Sequence, residues 1–181
     1  MIIYAHGLRS NPRDVSKKGG ILSNLGAIVP NLPNDPDAAI ATLEQQIIQH
    51  SKVMLVGHSL GGFYMSYLAE KYNLPVMLTN PVVRPQNSHL LLGIVGNDQN
   101  LKNATAAKLA AYDVPITKFD NFWVMMQRGD DVLNYQDAQK HYQFCNHVVL
   151  NGGSHKFDDF KYWLPLISYF QQRHYGDLDH D

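Results

Sequence analysis

The chain has 181 residues, 45% of them apolar and 17% charged, with a formal net charge of -1. That length suits one domain able to bury its own core. The composition excludes intrinsic disorder, and the balanced charge lacks the basic excess of a general nucleic-acid or membrane-surface binder.

Met1–Ala5 is an apolar run that stops at His6-Gly7 and predicts a strand. Ala27–Pro30 predicts a second, very short one. Asp37–His50 predicts a helix, because Asp35-Pro36 reads as a cap followed by proline in the first turn. Lys52–Val56 (KVMLV) predicts a strand ending at Gly57, and Leu60–Tyr72 carries apolar positions at helical spacing. Pro75–Thr79 is the next strand, stopping at Asn80-Pro81. Pro81–Asp120 is long and poorly periodic, with one helix near Leu101–Tyr112; it is expected to form an insertion over the carboxyl edge of the sheet. Asn121–Gln127 (strand), Tyr135–Tyr142 (helix), His147–Leu150 (strand) and Phe157–Gln172 (helix) complete the chain.

Strands apolar on both faces and bounded by turn residues suit a buried parallel sheet. Their alternation with helices predicts an α/β fold of three layers, with a mostly parallel central sheet and a minimal cap, as one domain over residues 1–181. The opening MIIYAHGLRS does not read as a signal peptide. No apolar run approaches the roughly 18 residues of a membrane helix. A cytoplasmic protein with no membrane or nucleic-acid partner is therefore expected. The single cysteine, Cys145, cannot form an internal disulfide. A net charge near zero does little to oppose self-association and leaves room for a homo-oligomer.

The strongest chemical signal is Gly57-His58-Ser59-Leu60-Gly61-Gly62, which matches G-x-S-x-G where a predicted strand gives way to a predicted helix. A serine on such a turn is exposed above the sheet, and small residues at Gly57 and Gly61 relieve the crowding the turn creates. The helix N-terminus behind Ser59 favours the negative charge of a tetrahedral intermediate. A serine nucleophile needs a base, and the base needs an orienting acid. His155 lies in the glycine-rich loop Asn151-Gly152-Gly153-Ser154-His155, after the last strand. Asp130 and Asp131 lie after the preceding strand, in Arg128-Gly129-Asp130-Asp131-Val132. The order serine, aspartate, histidine follows, with all three at carboxyl ends of strands. Leu60, the residue after the nucleophile, is expected to give one backbone N–H to an oxyanion hole.

These segments resemble the α/β-hydrolase superfamily and, more narrowly, the small single-domain bacterial esterases of the YqiA type. The matching stretches are MIIYAHGLRSNP, GHSLGGFY, Asn80-Pro81, RGDDVLNY and GGSHKF. The resemblance implies Asp130 rather than Asp131 as the acid and Leu8 as the second oxyanion donor. The substrate pocket is expected to be bordered by Gly7, Asn80 and Pro81, and by His58, whose place in the elbow points its side chain away from the nucleophile's proton. The sequence departs from the family in its longer Pro81–Asp120 region and its tail rich in His and Asp.

The reading is a serine hydrolase of carboxylic esters, without cofactor or metal. With little sequence to build a cap, a shallow pocket and short acyl chains are expected. Two rivals stand beside it. One is a thioesterase acting on acyl-CoA, with Arg9, Arg13 and Arg84 available for phosphates. The other is a non-catalytic binding protein on the same fold. Other residues have plainer readings. His6 is read as shaping the oxyanion loop, Cys145 as a buried apolar residue, and Trp123 and Trp163 as core. His141 and His147 have poor metal spacing. The tail His174–Asp181 reads as a solvated terminus. Gly19-Gly20 and Gly26 make no phosphate loop, and Lys17-Lys18 is too short a basic patch for nucleic acid.

Overall fold

The structure, a computed structural model, describes residues 1–8, 10, 18–87 and 89–176. Five parallel strands form one sheet in sequence order: β1 (Ile2–Ala5), β2 (Met54–His58), β3 (Val76–Thr79), β4 (Phe122–Gln127) and β5 (Asn146–Leu150). Because side chains alternate across a strand, the sheet feeds two cores. Ile3, Leu55, Leu78, Val124 and Met126 pack in one with α2 (Pro36–Ile48), α3 (Leu60–Tyr72) and α6 (Tyr135–His141). Tyr4, Val56, Met77 and Met125 pack in the other with α1 (Lys18–Asn24) and α7 (Leu164–Tyr175). The expected three-layer α/β arrangement is what forms.

Local chemistry sets most boundaries. Asp35 caps α2 by accepting from the Ala38 N–H at 3.0 Å, with Pro36 in the first turn. α3 runs over the predicted residues and stops where Asn73 turns left-handed (φ 55°). β2 runs on through Gly57 to His58, past its expected end, and this carries the serine turn to the sheet's edge.

Four expectations need correction. Ala27–Pro30 contributes only one parallel bridge, Ile28 to Ile3, held by the Tyr4 and Ile28 N–H groups. The last helix starts at Leu164 rather than Phe157, because Phe157 and Asp159 take positive φ (57° and 62°) and a 3₁₀ turn over Phe160–Trp163 intervenes. The helix α1 is unexpected: Gly19 and Gly20 give it poor intrinsic propensity, and burial of Leu22 holds it. The 81–120 region divides in two. Its helix α5 (Gln99–Ala111) lies beside α2, where Tyr112 Oη donates to Asp37 and Lys108 bridges Asp35 and Asp37. Only the short α4 (Leu90–Val95) stands over the carboxyl ends of the strands, packed on Leu8 at Gly93. Among the described residues, no helix is long and apolar enough to cross a membrane.

Candidate active site

Ser59 sits between β2 and α3 with φ 54° and ψ -123°, a conformation an L-residue holds only under strain. The two glycines of the motif make it possible. A Cβ on Gly57 would lie 2.7 Å from Gly62 Cα, and one on Gly61 would overlap the carbonyl of Ala5. β1, β2 and α3 thus meet too closely for any side chain at these points. The turn buries Ser59 (2% exposed) at the floor of a cavity of about 830 Å³.

Ser59 Oγ donates to His155 Nε2 at 2.9 Å. On the other side of the ring, the Nδ1–H donates to Asp130, at 2.9 Å from Oδ2 and 3.0 Å from Oδ1. That tautomer follows from the two carboxyl oxygens of Asp130 beside Nδ1. The Asp130 side chain is 2% exposed and the His155 side chain 18%. Asp130 Oδ1 also accepts from the Val132 and Leu133 N–H groups, at 2.9 and 2.8 Å, which fixes its orientation. Asp131 does something else: its Oδ1 accepts the His155 backbone N–H at 3.2 Å. Of the two aspartates left open by the residues, Asp130 is the one facing the imidazole.

The acid and histidine loops are zipped together. Arg128 N–H donates to Leu150 and Gly129 N–H to Gly152, at 2.9 and 2.8 Å. Gly153 at φ 77° leaves no room for a side chain against Gln127. Gln127, buried at the end of β4, accepts the Ser154 and Asp158 N–H groups on one oxygen and donates to the Asp158 carbonyl. Sequence reasoning missed this residue. Its one signal is a polar side chain ending an otherwise apolar run.

Asn80 and Pro81 do not line the cavity, contrary to expectation. Asn80 is 3% exposed and fully engaged: it donates to the Ser154 and His155 carbonyls and accepts from the Gln127 N–H. It holds the histidine loop instead of substrate. Pro81 packs over Gly62 and faces a separate groove of about 280 Å³. Gly7 and His58 do line the cavity. A Cβ on Gly7 would lie 3.1 Å from Ser59 Cβ, so the 6–8 loop crosses directly above the serine.

Leu60 is the first residue of α3, so its N–H has no intrahelical acceptor. Leu8 lines the same cavity as Ser59. His6 is bonded through both ring nitrogens, Nδ1 to the Gly7 carbonyl at 2.8 Å and Nε2 to the Leu32 N–H at 3.4 Å, and so braces the Leu8 loop. His58 donates from Nδ1 to the Thr79 carbonyl at 3.0 Å. Burial first, then the charges of Lys18 and His155, hold its imidazole well below the usual histidine range. It is therefore a neutral ring beside the base. Burial pushes the Cys145 thiol up to about 12 and leaves it no nucleophilic character. Arg84 lies outside the cavity wall, 3.8 Å from Asp113; Arg9, Arg13, Lys17 and the tail beyond Gly176 lie outside the described residues.

The pocket is larger than a minimal cap led one to expect. Loop 6–8, α1, α4 and the loop 155–161 border an open cavity whose volume is in the range of a drug-sized ligand.

A parallel sheet with helices on both faces and a strained serine turn after the interior strand β2 define an α/β-hydrolase fold. Solved structures agree across nearly the whole chain. One of two metagenome-derived lipolytic enzymes, LipS and LipT, superposes with a TM-score of 0.71 at 12% identity, covering 96% of this chain and 93% of its own. An α/β-hydrolase enzyme from the metagenome of lagoon sediments at Mar Chica, Morocco, reaches 0.66 at 17% identity, covering 96% and 91%. A monoacylglycerol lipase from Paleococcus ferrophilus reaches 0.65 at 13%, covering 94% and 93%. At these identities the likeness is one of fold. The chain belongs to the uncharacterised protein family UPF0227, whose model matches residues 1–172.

Proposed function

We propose that this protein is a serine hydrolase of carboxylic esters. The observation that carries the reading is the unbroken hydrogen-bond path Ser59–His155–Asp130 at the floor of a cavity. In this reading Ser59 Oγ attacks the acyl carbon while its proton passes to His155 Nε2. Asp130 keeps the ring in place and stabilises the imidazolium. The Leu60 and Leu8 N–H groups receive the oxyanion. The imidazolium proton then leaves with the alkoxide, and the acyl group stays on Ser59. Water, deprotonated by the same nitrogen, attacks the acyl-enzyme and releases the carboxylic acid. No step calls on a cofactor or metal.

The preference for short acyl chains was expected from a shallow pocket. A cavity of about 830 Å³ removes that ground, so the preference rests on the family resemblance alone. The non-catalytic rival is disfavoured because no member of the triad is missing. The test is hydrolysis of nitrophenyl esters from acetate to palmitate by wild type and Ser59→Ala. A loss of roughly 10³-fold or more in the variant is expected. Equal activity in both proteins would overturn the reading. So would failure of wild type both to hydrolyse any ester and to take a fluorophosphonate label on Ser59.

A further inference from the structure

The cavity contains a charge that the triad does not use. Lys18 opens α1 and lines the cavity wall together with Tyr4, His58, Ser59 and Phe160. It is 9% exposed, and a lysine is almost never buried so far without a carboxylate partner. Among the described residues none lies within ion-pair distance. Its Nζ donates to the backbone carbonyl of Lys156, next to the base, and lies over the Phe160 ring at 6.0 Å from the centroid. Among the described residues Asp158 is the carboxylate whose field supports its charge, and Asp158 is itself exposed and hydrogen-bonded to Ser154. An ammonium with three N–H donors thus has one acceptor among the described residues, and its Nζ stands in the cavity wall where an entering anion can meet it. Burial lowers it to about 8, so it remains mainly charged at neutral pH.

The wall around it does not satisfy that charge. Lys156 and Lys161 line the same cavity and are balanced in number by Asp158 and Asp159, all four on the exposed rim. Lys18 is the buried member of the set. Its charge reaches His58, whose ring lies against His155. It is therefore within the same chamber as the reacting serine rather than on a distant surface.

We propose that Lys18 is a specificity-determining residue that holds an anionic group of the substrate, so that the preferred ester carries a carboxylate or similar anion a short distance from the scissile bond. This rests on the hydrolase reading above. A charge-assisted hydrogen bond at a largely buried ammonium is worth more than one made in water, because the fold has already removed much of the lysine's solvent.

The test compares four esters of similar size, two anionic and two neutral, on wild type and Lys18→Met. Nitrophenyl butyrate is neutral, the nitrophenyl half-ester of glutarate carries the anion on the acyl side, and the butyrate ester of 4-hydroxybenzoate carries it on the leaving side. Phenyl butyrate serves as the neutral partner of the last. Wild type is expected to favour one of the two anionic esters over its neutral partner by about tenfold in kcat/KM, the usual scale for a charge-assisted contact. Which ester it favours identifies the side of the cleft on which the anion sits. Lys18→Met is expected to collapse that ratio to near one. A purely structural role, holding the Lys156 carbonyl, would instead lower both rates in parallel and leave the ratio intact; that result overturns the proposal. So does a wild type that cleaves neutral esters with no anionic preference, a measurement needing no variant at all. A wild type that cleaves none of the four also overturns it; if Ser59 then takes no fluorophosphonate label either, the hydrolase reading falls with it.

Discussion

The rings of His58 and His155 lie with centroids 5.2 Å apart, tilted by 40°. Two histidines this close cannot both be charged without cost, and the structure resolves the conflict by burying His58. Burial, Lys18 and His155 all push His58 toward its neutral form. The folded protein thus binds fewer protons there than the unfolded chain below the ordinary histidine value of about 6.5. Stability from His58 is present above that value and is lost as pH falls below it. Burial of His141 and His174 shifts both in the same direction.

The first prediction is an acid-sensitive fold. Below about pH 6.5, His58 contributes up to about 1.4 kcal/mol of lost stability per pH unit, one proton's worth. Urea denaturation at stepped pH measures it. In His58→Asn the slope should be shallower than in wild type. An unchanged slope would mean that His58 is not held neutral by the fold.

A second prediction separates the two aspartates. Asp130→Asn should lower kcat by on the order of 10³–10⁴, as expected when the acid can no longer hold the imidazole tautomer. Asp131→Asn weakens only the bond to the His155 backbone N–H and should cost less than about tenfold. Equal losses in kcat would place both carboxylates on the ring.

Removal of the loop clamps gives a third. Gln127→Ala leaves the Ser154 and Asp158 N–H groups without their acceptor, and Asn80→Ala frees the Ser154 and His155 carbonyls. Each should cost about 1–3 kcal/mol of stability and lower kcat more than it raises KM, because the base loses its position. Chemical denaturation and steady-state kinetics on the same preparations test both halves.

The fourth concerns the serine turn. Gly61→Ala drives a Cβ into the Ala5 carbonyl, with backbone on both sides and nothing flexible to yield. A loss above about 4 kcal/mol, or failure to fold, is expected. A stable Gly61→Ala protein with wild-type activity would contradict the packing of β1 against α3.

The lesson about sequence and structure lies in particular residues. Period and punctuation sufficed for α2, α3 and the five strands, because those segments obey local rules: Asp35-Pro36 supplies a cap and a first-turn proline, and a run such as KVMLV suits burial on both faces. The candidate triad was legible for the same reason, since Ser59, Asp130 and His155 each follow a strand and carry distinctive neighbours. α1 was not legible, because two glycines hide a helix that exists only through the burial of Leu22. Nor was the last helix's start, which depends on the positive φ of Phe157 and Asp159.

What the sequence determined by itself was the α/β alternation, the strained serine turn and the order of the three polar residues along the chain. What only the tertiary structure decided was their company. Asp130 rather than Asp131 faces the ring. Asn80 and Gln127 hold the histidine loop, and Lys18 is placed in the cavity wall. Those outcomes depend on which side chains from distant segments meet across the carboxyl ends of the strands. Local propensity carries no record of such meetings; burial and hydrogen-bond satisfaction in the packed chain decide them.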